Sequence, residues 1–377
     1  MTSVPNHGEG ELPRLNSVVR WEPLLLALGV VAIYTLMAIF VLLTHDGDPK
    51  VFVLEKPDDV PFTQAWGIGY DGQFSYALAL DPIGAEESGA LDKPAYRYMR
   101  IVYPIAARLV AFGIPDLVPW SLLAVNVLAA GATAWLMAVL IGARAGAVWA
   151  VLALLLSINY LIGVRLDLNE PLALLMAIAG LWLHKQRRFG LAAAAFALAG
   201  LTKEVFLAFP LAVAIYEVTQ RNLKTTAIIL FGSFLPYIAW SSAVTQWLGT
   251  SPFSYSLSKP SLIPFAGLRH LWPFESQMMV VIWAIGPAIA LALGVVWKSI
   301  RGSPSLAAWL VLLNVAVLAT LPVESWEDPL AILRLALGAM VAGLLWLSQE
   351  QPRLLPFSAA IWIPSLLIAF LLPGLLT

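Results

Sequence analysis

The stretch PLLLALGVVAIYTLMAIFVLLT, residues 23–44, decides the fold. It carries no charged side chain, and at 1.5 Å per residue a helix of this length crosses the roughly 30 Å hydrocarbon core of a bilayer. It is too long for the apolar region of a signal peptide and ends without a small-residue cleavage site, so it is expected to persist as a first span. Similar apolar runs follow at 117–140, 145–163, 170–184, 189–202, 205–219, 225–247, 277–297, 304–321, 330–348 and 355–375. The expected fold is therefore all-α: one polytopic transmembrane helix bundle over residues 1–377, with about eleven spans.

Composition agrees. The 377 residues are 60% hydrophobic and 12% charged, with a mean hydropathy of +0.82. A soluble domain carries about 25% charged residues. The 15 Trp and 26 Pro suit interfacial belts and broken helices. A net charge of −1 leaves no basic domain for nucleic acid, and the absence of cysteine excludes disulfides, iron–sulfur clusters and thiolate chemistry.

The short basic loops orient the chain. With a cytoplasmic N-terminus, Arg144, Lys185/Arg187/Arg188, Arg221/Lys224, Lys298/Arg301 and Arg353 all fall inside, as the positive-inside rule requires. The opposite loops then carry Arg165/Asp167/Glu170, Lys203/Glu204, Arg269/His270/Glu275 and Glu324/Glu327/Asp328. Two outer segments are long. One, residues 45–116, is expected to hold two interfacial helices, Gly72 to Leu80 and Tyr96 to Phe112, the second kinked at Pro104. Its polar stripe is Tyr96, Arg100, Tyr103 and Ala107 with Arg108 beside it, and its apolar stripe is Ile101, Ile105, Leu109 and Phe112. The other, residues 248–276, is rich in Ser, Pro and aromatics and is placed to close over a cavity.

No HExxH, GxSxG or Walker loop is present, and the four histidines (7, 45, 184 and 270) are scattered. What the outer face offers is acids with Arg and Lys, a combination suited to moving a group from a lipid phosphate, where positioning and charge stabilisation do most of the work. Asp71, in GYDGQFSY (69–76), is the candidate catalytic acid, with Tyr70 and Gln73 beside it; it also fits a simpler role as cap of the helix that follows. Arg97 and Arg100 are candidates for phosphate binding or for snorkelling to lipid headgroups. RLDLNEP (165–171) makes a helix start with Asn169 as cap, yet Arg165, Asp167 and Glu170 at the end of an apolar run suggest a site. Lys203 and Glu204 fit either a local ion pair or a donor-phosphate contact. Arg334, inside an apolar run, needs an acid such as Asp328 or an anionic ligand. Asp58/Asp59 read as solvated loop or as a divalent-metal site, Mg²⁺ or Mn²⁺.

Taken together, YDGQF from Tyr70, Asp81–Pro82, YRYMRIVYP (96–104), RLDLNEP and TKE (202–204) resemble motifs of the GT-C superfamily of glycosyltransferases. More closely, they are similar to motifs of bacterial GT-C-like membrane proteins of cell-surface glycopolymer formation. The resemblance, over roughly residues 20–340, implies a polyprenyl-phosphate sugar donor, a glycan or lipid acceptor, and a site on the periplasmic or extracellular face of the inner membrane. It implies that Asp71 serves as base or acceptor anchor and that Arg165, Lys203 or Arg334 holds the donor phosphate. Asp71 stands alone here where many members carry adjacent acids. A transporter or flippase of polyprenyl-linked or anionic lipid is the rival class, and a non-catalytic assembly subunit a third.

Overall fold

The computed structural model describes residues 21–54, 70–142, 146–271 and 274–367. Among these the chain is helical throughout, and Asp58/Asp59 lie outside them. The helices run in chain order as α1 (Trp21–Leu43), α2 (Gly72–Leu80), α3 (Pro94–Tyr98), α4 (Val102–Val110) and α5 (Val118–Ile141). Next come α6 (Ala147–Leu155), α7 (Ile158–Arg165), α8 (Glu170–Lys185), α9 (Phe189–Thr202), α10 (Ala208–Thr219) and α11 (Leu223–Leu248). The last six are α12 (Phe274–Val280), α13 (Gly286–Ser299), α14 (Leu306–Ala319), α15 (Pro329–Leu335), α16 (Leu337–Glu350) and α17 (Leu355–Trp362).

Among the described residues five helical stretches are long and apolar enough to cross a membrane: Trp21–Leu43, Pro115–Ile141, Leu223–Leu248, Gln277–Ser299 and Pro329–Glu350. The bent pair α6–α7 makes a sixth. The expected count of eleven is thus met only in part, and the reason is length. The runs at 170–184, 189–202, 205–219 and 304–321 form helices of 16, 14, 12 and 14 residues, which reach only about 18–24 Å. The run at 355–375 extends past the described residues. Leucines and aromatics of α1, α11 and α13 remain exposed on the outside of the bundle, Leu36, Phe231 and Leu293 among them, as an apolar solvent demands. Small residues let helices approach: a Cβ at Gly131 of α5 would stand 2.5 Å from Val31 of α1, and one at Gly180 of α8 at 2.5 Å from the Phe196 ring of α9.

The 51° bend between α6 and α7 frees backbone groups, and side chains satisfy them. The Tyr34 hydroxyl donates to the Leu155 carbonyl at 2.5 Å, and the Ile158 amide donates to the Ser365 hydroxyl at 3.0 Å. The redirected α7 lies against α15, where Asn159 Nδ2 donates to the Leu333 carbonyl at 2.7 Å. That contact fixes the backbone next to Arg334.

The first outer segment departs from expectation. Its second helix is two helices, α3 and α4, broken at Met99–Ile101, while Pro104 sits in the first turn of α4 where its missing N–H costs nothing. The polar stripe is turned into the protein. Tyr96, Arg100, Tyr103 and Ala107 are buried in the protein, and Leu109 (70%) and Phe112 (86%) are exposed. In an apolar surrounding the polar stripe belongs inside, where partners exist. Arg108 donates to the carbonyls of Ala79 and Leu80 and so closes the end of α2.

Candidate active site

Gly72 sets the position of Asp71. A Cβ at Gly72 would collide with the Leu166 carbonyl oxygen and stand 3.1 Å from that of Val53, so α2 begins pressed against the α7–α8 connection. Asp71 precedes α2 but makes no side-chain cap. Its carboxylate instead accepts from Arg97 Nη1 at 2.9 Å and from Arg334 Nη2 at 2.6 Å. Arg334 also gives Nη1 to Glu170 Oε1 at 2.9 Å, and that same oxygen takes Lys203 Nζ at 3.0 Å. Arg97 in turn gives Nε to Asp92 Oδ1 at 2.7 Å and Nη2 to Oδ2 at 3.0 Å.

The result is an unbroken alternation of acid and base: Asp92, Arg97, Asp71, Arg334, Glu170, Lys203. Beside it, Arg100 forms a fork on Glu204, Nε to Oε2 at 3.1 Å and Nη2 to Oε1 at 2.7 Å, and also donates to the Tyr96 hydroxyl. The cations stack on aromatic faces: Arg97 on Phe74 at 3.8 Å, Arg100 on Tyr96 at 4.4 Å and Arg334 on Tyr70 at 5.2 Å. Tyr70 donates its hydroxyl to Asp328, whose other oxygen caps α15 at the Leu330 amide, 2.9 Å away.

Partners explain how these charges tolerate burial. Burial pushes the Asp71 carboxyl up, but Arg97, Arg334 and Lys203 outweigh it and hold the group well below the usual carboxylate range. Glu204 is likewise raised by burial and brought down by Arg100 and Lys203, to about 2. Lys203 moves the other way: burial, with Arg100 adding to it and Glu170 opposing, pushes it down to about 8. Asp328 is raised, chiefly by burial, because the phenol it holds brings no charge.

Asp71 keeps 25% of its side chain exposed, toward a cavity of about 420 Å³. This charged cluster lines the cavity, together with apolar side chains, Val317, Leu321 and Leu335 with Phe253 and Leu257, and with Thr320 and Glu324. The 248–276 segment does close over it: Ser261 and Phe265 donate their amides to the carbonyls of Thr320 and Ala319 at 2.9 and 2.7 Å. Gly267 lies under Trp326, where a Cβ would overlap the indole, and Phe265 meets Trp326 edge-on at 6.2 Å.

Of the residues singled out in the sequence, Tyr70, Asp71, Arg97, Arg100, Lys203, Glu204 and Arg334 line the cavity, with Glu170 directly behind them. Arg165 and Asp167 do not join them. Arg165 Nη1 donates to the Val51 carbonyl at 2.8 Å, with its guanidinium 5.4 Å from the Phe52 ring. Asp167 is fully buried with both carboxylate oxygens unpartnered and its backbone at φ +46°; burial raises its carboxyl well above the usual range, with Arg165 opposing. Gln73 is half-buried on α2 and is not part of the cavity lining. Lys203 and Glu204 do not pair with each other, since the turn between α9 and α10 sends them to different partners. Arg334 takes Asp71 and Glu170 rather than Asp328. Asn169 accepts from Ser75 Oγ at 2.8 Å and caps nothing. Asp92, Tyr96 and Asp328 were missed as site residues. Tyr96 sits four residues before Arg100, a helical spacing that would have found it; Asp92, five residues before Arg97, has no such signal, and Asp328 joins only through the tertiary fold.

Among the described residues no group of three or more acid or imidazole side chains is placed to hold a metal ion. Of the cavity carboxylates, Asp71 and Glu204 face guanidinium groups and Asp328 a phenol. Compared with known protein families, curated proteins and solved structures, the chain matches none.

Proposed function

We propose that this chain is a GT-C-type glycosyltransferase of the bacterial inner membrane, moving a sugar from a polyprenyl-phosphate donor to a glycan or lipid acceptor at the periplasmic or extracellular face. The observation that supports it is the mixed lining of the cavity. Asp71, Arg97, Arg100, Lys203 and Arg334 suit a sugar phosphate, and the apolar residues of the same lining suit the first units of a prenyl chain.

In this mechanism the acceptor hydroxyl oxygen attacks the anomeric carbon and gives its proton to Asp71. The bond from that carbon to the phosphate oxygen breaks, with its electron pair staying on the phosphate. A single displacement of this kind inverts the anomeric centre. With two guanidinium groups on its carboxylate, Asp71 is a weak base. An incoming phosphate competes for Arg97 and Arg334 and so restores basicity to Asp71 when donor is present. The same cations then stabilise the charge that develops on the leaving phosphate.

Turnover by the purified protein in lipid, with a panel of polyprenyl-phosphate sugars, tests this reading. Wild type consumes donor, and Asp71→Asn, folded by the same criteria, loses activity by about 10²–10⁴-fold. Transport of the same cargo without chemistry is the second reading, favoured by the bent α6–α7 pair, since broken helices are common in transporters. Tight donor binding with no turnover in either protein would select it.

A further inference from the structure

A second cavity, of about 780 Å³, lies at the other end of the same helices. Val317 and Thr320 at the close of α14 face the charged cavity, whereas Ala308 near its start faces the second. Arg334 and Leu335 stand at the first, and Trp346, Leu347 and Glu350 of α16 at the second. The groove follows α13 from Pro287 to Lys298, a depth of about 16 Å. Leu291, Gly294 and Val295 line it together with Trp346 and Trp362. Gly294 lets Trp346 pack close, since a Cβ there would stand 3.2 Å from that ring.

Polar groups gather only at the mouth. Arg301 lies over the Trp297 ring at 4.5 Å, and Lys298 pairs with Glu350. The amino end of α14, capped by Ser305, opens onto the same place. Two cations against one acid, together with a helix amino terminus, make the mouth electropositive. Around it the surface is exposed and apolar: Leu293, Trp297 and Phe357 all face outward. A soluble ligand would have no reason to approach such a surface.

We propose that this groove holds an acyl chain of an anionic phospholipid, with the lipid phosphate on Arg301 and Lys298. Charge complementarity selects an anionic headgroup over a zwitterionic one, and the apolar depth selects a lipid over free phosphate. Basic pockets between transmembrane helices at the cytoplasmic side recognise anionic headgroups in this way. The lipid belongs to the leaflet opposite the charged cavity, so the site is independent of any donor bound there.

The test is native mass spectrometry of the full-length protein after exposure to equal amounts of phosphatidylglycerol and phosphatidylcholine with matched acyl chains. Each cation near a phosphate contributes about fivefold, so wild type is expected to retain phosphatidylglycerol with a preference of roughly five- to thirtyfold. Lys298→Gln/Arg301→Gln brings the preference to near parity, and Glu350→Gln, which frees Lys298, raises it. Gly294→Phe fills the groove and loses both lipids. A phosphatidylglycerol carrying a diazirine in its acyl chain should label residues of α13 or α17 in wild type, which locates the site even if Gly294→Phe fails to fold. Equal retention of the two lipids by wild type overturns the proposal. So does a preference that survives the double substitution, or labelling confined to other helices.

Discussion

Glu170 shows what a single buried acid does in this protein. One of its oxygens serves Lys203 and Arg334 together, while the other has no partner, and the side chain is fully buried. Glu170→Gln removes the charge that two buried cations share, and breaking a buried pair in this way costs about 3–5 kcal/mol. We expect a clear loss of thermal stability in detergent, and an unchanged melting curve would show that water or lipid compensates instead. Lys203 offers a pH test with two opposite signs. Its folded value of about 8 lies below the ordinary value of about 10.4. Between those values the unfolded chain binds more protons, so this residue makes stability rise with pH. Anion binding runs the other way, because Lys203 loses its charge above about pH 8. Donor phosphate should bind roughly tenfold more weakly at pH 9.5 than at pH 7, and Lys203→Arg should flatten that dependence. A flat profile in wild type would remove Lys203 from the phosphate contact.

At the scale of the element, α2 is held by contact of its backbone with the α7–α8 connection. Gly72→Ala forces the two apart. Overpacking of this kind costs about 1–3 kcal/mol, and because Asp71 immediately precedes Gly72 the donor turnover should fall with it; stability measured by denaturation and turnover measured on the same preparation check both effects. The sequence made α2 legible to the residue, since glycine and a polar flank mark its start and Asp81–Pro82 its end. It also pointed to most of the cavity residues, because a charge within an apolar chain is conspicuous. Pairing was not legible. Lys203 and Glu204 are adjacent in sequence yet reach Glu170 and Arg100, and Arg165 looked like a site residue although it serves the Val51 carbonyl. Span number was not legible either: an apolar run of 14 residues reads as a crossing when only hydropathy is counted.

For the whole molecule, the two cavities at opposite ends of α14 and α16 define two faces. The chain has no cysteine, so single cysteines report sidedness without background. Ser254→Cys, in the segment over the charged cavity, should react with an impermeant maleimide from outside intact cells, and Ser303→Cys only after permeabilisation. Labelling of both from one side would overturn the orientation. The alternating chain of acids and bases has a consequence of its own for traffic through the charged cavity. Every cation there has a resident carboxylate, so a visiting phosphate enters by substitution rather than by filling a vacancy. Small inorganic anions bring nothing to offset the displaced contact and should be turned away. A tailed ligand gains from the apolar lining what it loses in the exchange. Once the tail departs, the resident carboxylates snap back, and the cavity empties itself.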